Sequence, residues 1–219
     1  MPVISQTGQT AQDAAQWLRW ADQDYLAARN LLLHELVAQG CGLATTAIEK
    51  YLKTVLLMKS IGFPRGNRGH NVVLLYEKLV SAGIGLGLNL EFLALLVKAY
   101  GLRYPDDLKP GFNIVLEQTK IIAELDTTVH TIRKGFQFQQ QNVNRPTTLE
   151  ALAGAKNDQL LDRNCVFGTA SRRDLFAGPT HVYELRILPN GATLEATYEA
   201  QGIADDGRFD TEALRPGQC

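Results

Sequence analysis

"LATTAIEKYLKTVLLMKSIG", residues 43–62, decides the fold. Ala44, Ala47, Ile48, Tyr51, Leu52 and Val55 recur every three or four residues, while Glu49, Lys50 and Lys53 fall on the other side, as an amphipathic helix requires. Glu49 and Lys53 are also a favourable i,i+4 pair. Upstream, residues 12–38 carry Trp17, Ala21, Leu26, Ala28, Leu31, Leu32 and Leu36 at the same spacing, so a long first helix is predicted, stopped by Gly40 and Gly42. Downstream, "HNVVLLYEKLVSAG" predicts a third helix ended by Gly83, and "LNLEFLALLVKAYG" a fourth ended by Gly101. A fifth helix is predicted from about Phe112 to "TIRKG". In "RYPDDLKPG", between the fourth and the fifth, Pro105 and Pro110 force a turn in which Asp106 or Asp107 would cap the fifth helix. Short loops between five helices predict a mainly α fold, an antiparallel bundle.

The character changes after residue 135. "FQFQQQNVNRP" has no apolar period and predicts a connector, with a short helix after it capped by Thr148 and running to about Asp162. "HVYELRILPNGATLEATYEA" holds two alternating runs around Asn190-Gly191, which predicts a β-hairpin over residues 182–198. Tyr183, Leu185 and Ile187 would share one face of its first strand, and Leu194, Ala196 and Tyr198 one face of its second. A lone hairpin is marginal in water, so it should pack on the bundle or on a second copy of the chain. The organisation expected is a bundle over 1–138, a connector over 139–164 and a hairpin-containing extension over 165–219.

Composition excludes several classes. With 219 residues, 45% hydrophobic and 21% charged, the chain can bury a good core. Its net charge of −1 carries no strongly basic signature, so nucleic-acid binding would need a local patch. Residues 1–140 hold 14 Lys/Arg against 12 Asp/Glu, and residues 141–219 hold 8 against 11, a permissive asymmetry only. Cys41, Cys165 and Cys219 lack Cys-x-x-Cys spacing, and neither His130 nor His181 has ligand-like neighbours, so neither a disulfide framework nor a metal or cofactor is expected. The first residues lack the basic and apolar segments of a signal peptide, and "FLALLV" is far shorter than a membrane span. A cytoplasmic protein without a membrane partner is the expectation.

"WLRWADQDYLAARNLL", "AIEKYLKTVLL", "GHNVVLL" and "RYPDD", in that order across residues 12–134, resemble the successive signatures of the HEPN family, the higher eukaryotes and prokaryotes nucleotide-binding proteins. Nothing is recognised in residues 140–219. The resemblance implies a helical bundle, frequent homodimerisation and one of two roles. Some members are metal-independent ribonucleases of toxin–antitoxin or antiviral systems. Others are noncatalytic modules that bind nucleotide or RNA and partner a nucleotidyltransferase.

The ribonuclease branch uses an arginine and a histidine separated by four to six residues. Arg65 and His70 in "PRGNRGHN" fit, as do Arg29 and His34 in "RNLLLH". Thirteen arginines and four histidines give about 0.24 chance matches at one such spacing, so location decides. The family places its pair near "YGLRYPDDL", where Leu108 stands five residues after Arg103. Arg29 and His34 differ by about 140° around a helix and point to different faces. Arg65 and His70 are therefore the candidate catalytic pair, the histidine for proton transfer and the arginine for phosphate charge. The simpler reading is that His70 caps or packs its helix. Lys50, Lys53, Arg68, Arg103, Tyr104 and Asp106 are the candidate ligand-binding residues. Three functions stay open: a noncatalytic nucleotide or RNA module, a ribonuclease, and a dimeric interaction module.

Overall fold

A computed structural model describes residues 8–64, 66–136, 139–140, 143–144 and 146–202. Helix α1 spans Gly8–Leu33, α2 Val37–Met58, α3 Val72–Ser81 and α4 Leu90–Tyr100. Strand β1 (Asn113–Glu117) leads into α5 (Gln118–Arg133). The two-residue strands β2 (Gln139–Gln140) and β3 (Val143–Asn144) pair with each other. Short helices α6 (Thr148–Gly154), α7 (Asp158–Leu161) and α8 (Arg172–Ala177) precede β4 (Pro179–Ile187) and β5 (Thr193–Gln201). The fold is mainly α, a helical bundle with a small antiparallel sheet ordered β1-β4-β5.

The α2 stripe is buried as its spacing requires: Ala44, Ala47, Ile48, Tyr51, Leu52 and Val55 all lie in the core. They meet Leu18, Ala21, Tyr25, Ala28 and Leu32 of α1, and the core continues through Leu75, Phe92, Leu96, Ile122 and Leu125. The α1–α2 boundary differs from expectation. Gly40 and Gly42 lie inside α2, where a Cβ on Gly40 would meet Leu32 Cγ at 2.6 Å. Glycine here permits close helix approach and does not end α1. The stop is a Schellman motif: Leu36 N–H donates to Leu31 O (3.0 Å) and Glu35 N–H to Leu32 O (3.0 Å), with Glu35 at φ 65°.

The fifth helix also starts later than predicted, and Glu117 takes the N-cap position expected of Asp106 or Asp107. Residues 113–117 are a strand because β4 supplies them with an antiparallel partner, Ile114 opposite Leu185 and Leu116 opposite Tyr183. Ile114 and Leu116 alternate inward and are fully buried. The hairpin turns at Asn190-Gly191 as expected, with Gly191 at φ 82°. Its first strand becomes the central strand and buries Leu185 and Ile187, whereas Leu194 and Tyr198 of β5 stay exposed. The N-cap of α6 is Thr147, one residue before the expected Thr148, because Glu150 closes a capping box with it.

Two buried ion pairs fasten α5 to α1. Arg29 Nη1 donates to Asp126 (2.5 Å), with both side chains fully buried. Arg133 pairs with Asp22, whose carboxylate also accepts from the Tyr51 hydroxyl (2.6 Å). The same arginines reach residues beyond the bundle: Arg29 donates to the Asp162 carbonyl and Arg133 to the Thr147 hydroxyl. Arg29 is thus a structural residue, and its spacing to His34 carries no site. Among the described residues, no helix is long and apolar enough to cross a membrane.

Candidate functional site

The site grows from the "AIEK" turn of α2. Glu49 and Lys53 are one turn apart and were expected on a solvated face, yet they are only 5% and 7% exposed. Trp17 and Phe63 cover them, with Lys53 Nζ 5.7 and 5.4 Å from their ring centroids. Desolvation demands a partner, and Lys53 donates to Glu49 Oε1 at 2.5 Å. The other oxygen, Oε2, lies 2.9 Å from Nδ1 of His70. A carboxylate only accepts, so Nδ1 carries the hydrogen and Nε2 is the nitrogen left for other partners.

His70 closes a 3-10 turn, Gly66–His70, that Asn71 then converts into α3 by accepting from Leu74 N–H (3.1 Å). The turn is tight: a Cβ on Gly69 would sit 2.7 Å from the Pro64 carbonyl oxygen. The imidazole stacks on Tyr100, at the end of α4, with centroids 5.8 Å apart and planes 13° apart. Arg103 lays its guanidinium carbon 4.9 Å from the same Tyr100 centroid, and Tyr104 meets that ring edge-on at 6.4 Å. Spacings of three and four bring Arg103 and Tyr104 back over Tyr100, since the helix passes into a 3-10 turn at Gly101–Arg103. Burial pushes the Tyr100 hydroxyl above its ordinary range, against the pull of Arg103. His70, Asn71, Val97, Tyr100, Tyr104 and Asp107 line a cleft of about 520 Å³.

The predicted site residues therefore separate. His70, Arg103 and Tyr104 converge on Tyr100. Lys53 stands behind them, reaching the cleft only through Glu49. Lys50 is held by Asp24 at 2.6 Å. Arg68 is exposed in a neighbouring cleft lined by Phe63, Pro64, Leu74 and Lys78. Asp106 is exposed in the Pro105–Asp107 turn, and the carboxylate that lines the Tyr100 cleft belongs to Asp107. Arg65 lies outside the described residues. Sequence reasoning passed over Glu49 as a hydrogen-bond hub, and Tyr100 altogether, although Tyr100 stands three residues before Arg103. Among the described residues, no group of three His, Cys, Asp or Glu side chains could hold a metal.

The profile of the HEPN domain matches residues 14–133, a span that contains Glu49, Lys53, His70, Tyr100, Arg103 and Tyr104. No curated protein and no solved structure matches the chain.

Proposed function

The chain belongs to the HEPN-domain family, a class of nucleotide- and RNA-related modules, and on that premise we propose that its Tyr100 cleft binds a nucleotide unit of RNA without cleaving it. The observation that carries this reading is the aromatic assembly of His70, Tyr100 and Tyr104 with Arg103 laid on the central ring. Aromatic faces stack bases of any sequence, at about 1–3 kcal/mol per base. Asp107 and Asn71 offer acceptors and donors for base edges and ribose hydroxyls. The volume suits a small ligand. Glu49 and Lys53 act through His70, fixing its ring. To test this, mixed-sequence RNA is incubated in metal-free buffer with wild type, His70→Ala and Tyr104→Ala, and both retention and chain length are measured. Retention at constant length, weakened by Tyr104→Ala, is expected. Cutting by wild type that His70→Ala abolishes would overturn the noncatalytic reading.

The Glu49–His70 hydrogen bond favours a second reading, a metal-independent ribonuclease. An imidazole oriented through Nδ1 by a carboxylate presents Nε2 as a general base, and Arg103, 4.9 Å from the centroid of the same tyrosine ring, offers a cation for phosphate charge. In this reading the active pair is His70 with Arg103, 33 residues apart.

A further inference from the structure

The Tyr100 cleft has an electrostatic gap. Among the described residues its lining includes the Asp107 carboxylate but no lysine or arginine, which favours a base or ribose over a phosphate there. The complementary chemistry lies beside it. A second cleft of about 480 Å³, lined by Phe63, Pro64, Arg68, Leu74 and Lys78, contains two cations and no carboxylate among the described residues. Among the described residues, no acidic side chain pairs with Arg68 or Lys78.

The two clefts draw lining residues from one short stretch of chain. Arg68 and His70 belong to the same 3-10 turn, Gly66–His70, with Arg68 lining one cleft and His70 the other. At about 2 Å of rise per residue, two residues of such a turn separate them by only about 4 Å along its axis. The next stretch repeats the division: Asn71 lines the Tyr100 cleft, whereas Leu74 and Lys78, one and two turns along α3, line the cationic one. Gly69 keeps the ridge thin, since no larger residue fits against the Pro64 carbonyl.

We propose that the Phe63–Arg68–Lys78 cleft is a phosphate subsite for single-stranded RNA, continuing the strand whose base or nucleoside occupies the Tyr100 cleft. The inference rests on the nucleotide-binding reading of that cleft and adds its ligand class: a strand of several nucleotides, not a mononucleotide. Arg68 and Lys78 neutralise the phosphates on one side of the 66–71 ridge while stacking and hydrogen bonding act on the other. The exposed Leu74 and the Phe63 ring supply apolar contact for the sugar or base between them.

The test compares AMP with hexaadenylate RNA on the full chain, by calorimetry and fluorescence anisotropy, for wild type, Arg68→Ala/Lys78→Ala and Tyr104→Ala. Wild type should bind the hexamer at least about tenfold more tightly than AMP, a gain equal to roughly 1.4 kcal/mol. The double variant should erase that gain, leave AMP affinity unchanged, and lower the slope of log affinity against log salt by about 1.4, the value for two single-strand phosphates. Both replaced side chains are exposed, and an unchanged melting temperature verifies the fold. Lys78→Glu alone gives the same readout with opposite charge should the double variant melt early. An undiminished gain in the variants overturns the phosphate subsite. AMP binding that Tyr104→Ala leaves untouched overturns the Tyr100 reading instead, so the two failures are distinct. Equal competition by polyglutamate would assign the cationic cleft to an acidic protein segment and also overturn the proposal.

Discussion

Replacing Arg29 with methionine tests whether the buried pair with Asp126 organises this fold. The arginine has no exposed surface, and its carboxylate partner, 2.5 Å away, has none either. Removing one member of such a pair leaves an uncompensated charge and costs about 3–5 kcal/mol. For a chain of this size each kcal/mol moves the melting temperature by about 2–4 °C, so Arg29→Met should melt about 6–20 °C early by calorimetry or circular dichroism. The pH dependence has a definite sign. Burial pushes the Asp126 carboxyl up to about 6 even with Arg29 beside it. Its unfolded value is about 3.9, so between those pH values the folded state holds the extra proton. The stability that this carboxyl contributes is present below about pH 4 and lost as pH rises through about 6. Without the guanidinium its pKa rises further, and the deficit of Arg29→Met should be smaller at about pH 5 than at about pH 8. The double variant Arg29→Met/Asp126→Leu removes both charges but leaves behind the Tyr25 hydroxyl, which donates to Asp126 at 2.7 Å, the Cys165 N–H, which donates to the same carboxylate, and the Asp162 carbonyl, which accepts from Arg29. At about 1–3 kcal/mol for each buried group left unsatisfied, it should be less stable than wild type but more stable than the sum of the two single variants. A double variant as unstable as the sum of the two single ones would refute the reasoning, as would an Arg29→Met protein within about 1 kcal/mol of wild type.

Glu49→Gln strips the buried Lys53 of its counter-charge while keeping side-chain shape, so the protein should lose about 3 kcal/mol and RNA affinity should fall as His70 loses its orienting carboxylate; recovery of melting temperature in Glu49→Gln/Lys53→Met, measured by calorimetry, distinguishes the charge from packing. Self-association is expected at β5, one of the two edge strands of the β1-β4-β5 sheet, where Leu194 and Tyr198 are 54% and 42% exposed. An antiparallel register centred on Ala196 sets Leu194 of one copy opposite Tyr198 of the other, and each of Glu195 and Glu199 opposite a threonine, so no like charges meet. Light scattering at micromolar concentration should give a dimer mass that Ala196→Lys reduces to a monomer; a monomeric wild type would count against the interface.

How far the sequence reaches is set by the range of the interactions involved. The α2 stripe and the Asn190-Gly191 turn are local signals, and both produce the elements they predict. "NIVLE" is not decidable locally, because five residues with three aliphatics fit either a helix start or a buried strand. Its partner lies about 70 residues downstream, in residues 182–186, and only that pairing satisfies its backbone as a strand. The site divides in the same way. "RYPDD" and "GHN" indicate where chemistry gathers, but spacing rules compare residues along one element, and so they select Arg65 with His70 and Arg29 with His34. The fold joins His70 to Arg103 through a tyrosine that no spacing rule included, and buries Arg29 among acceptors from α5 and the residues after it. Glu49 is the clearest case. Its helical position satisfies an exposed i,i+4 pair with Lys53, yet the roof over that pair comes from Trp17 on another helix and Phe63 on a loop. Once water is excluded there, one carboxylate has to satisfy both a lysine and a histidine, and this tertiary constraint turns an ordinary surface pair into the support of the candidate binding cleft.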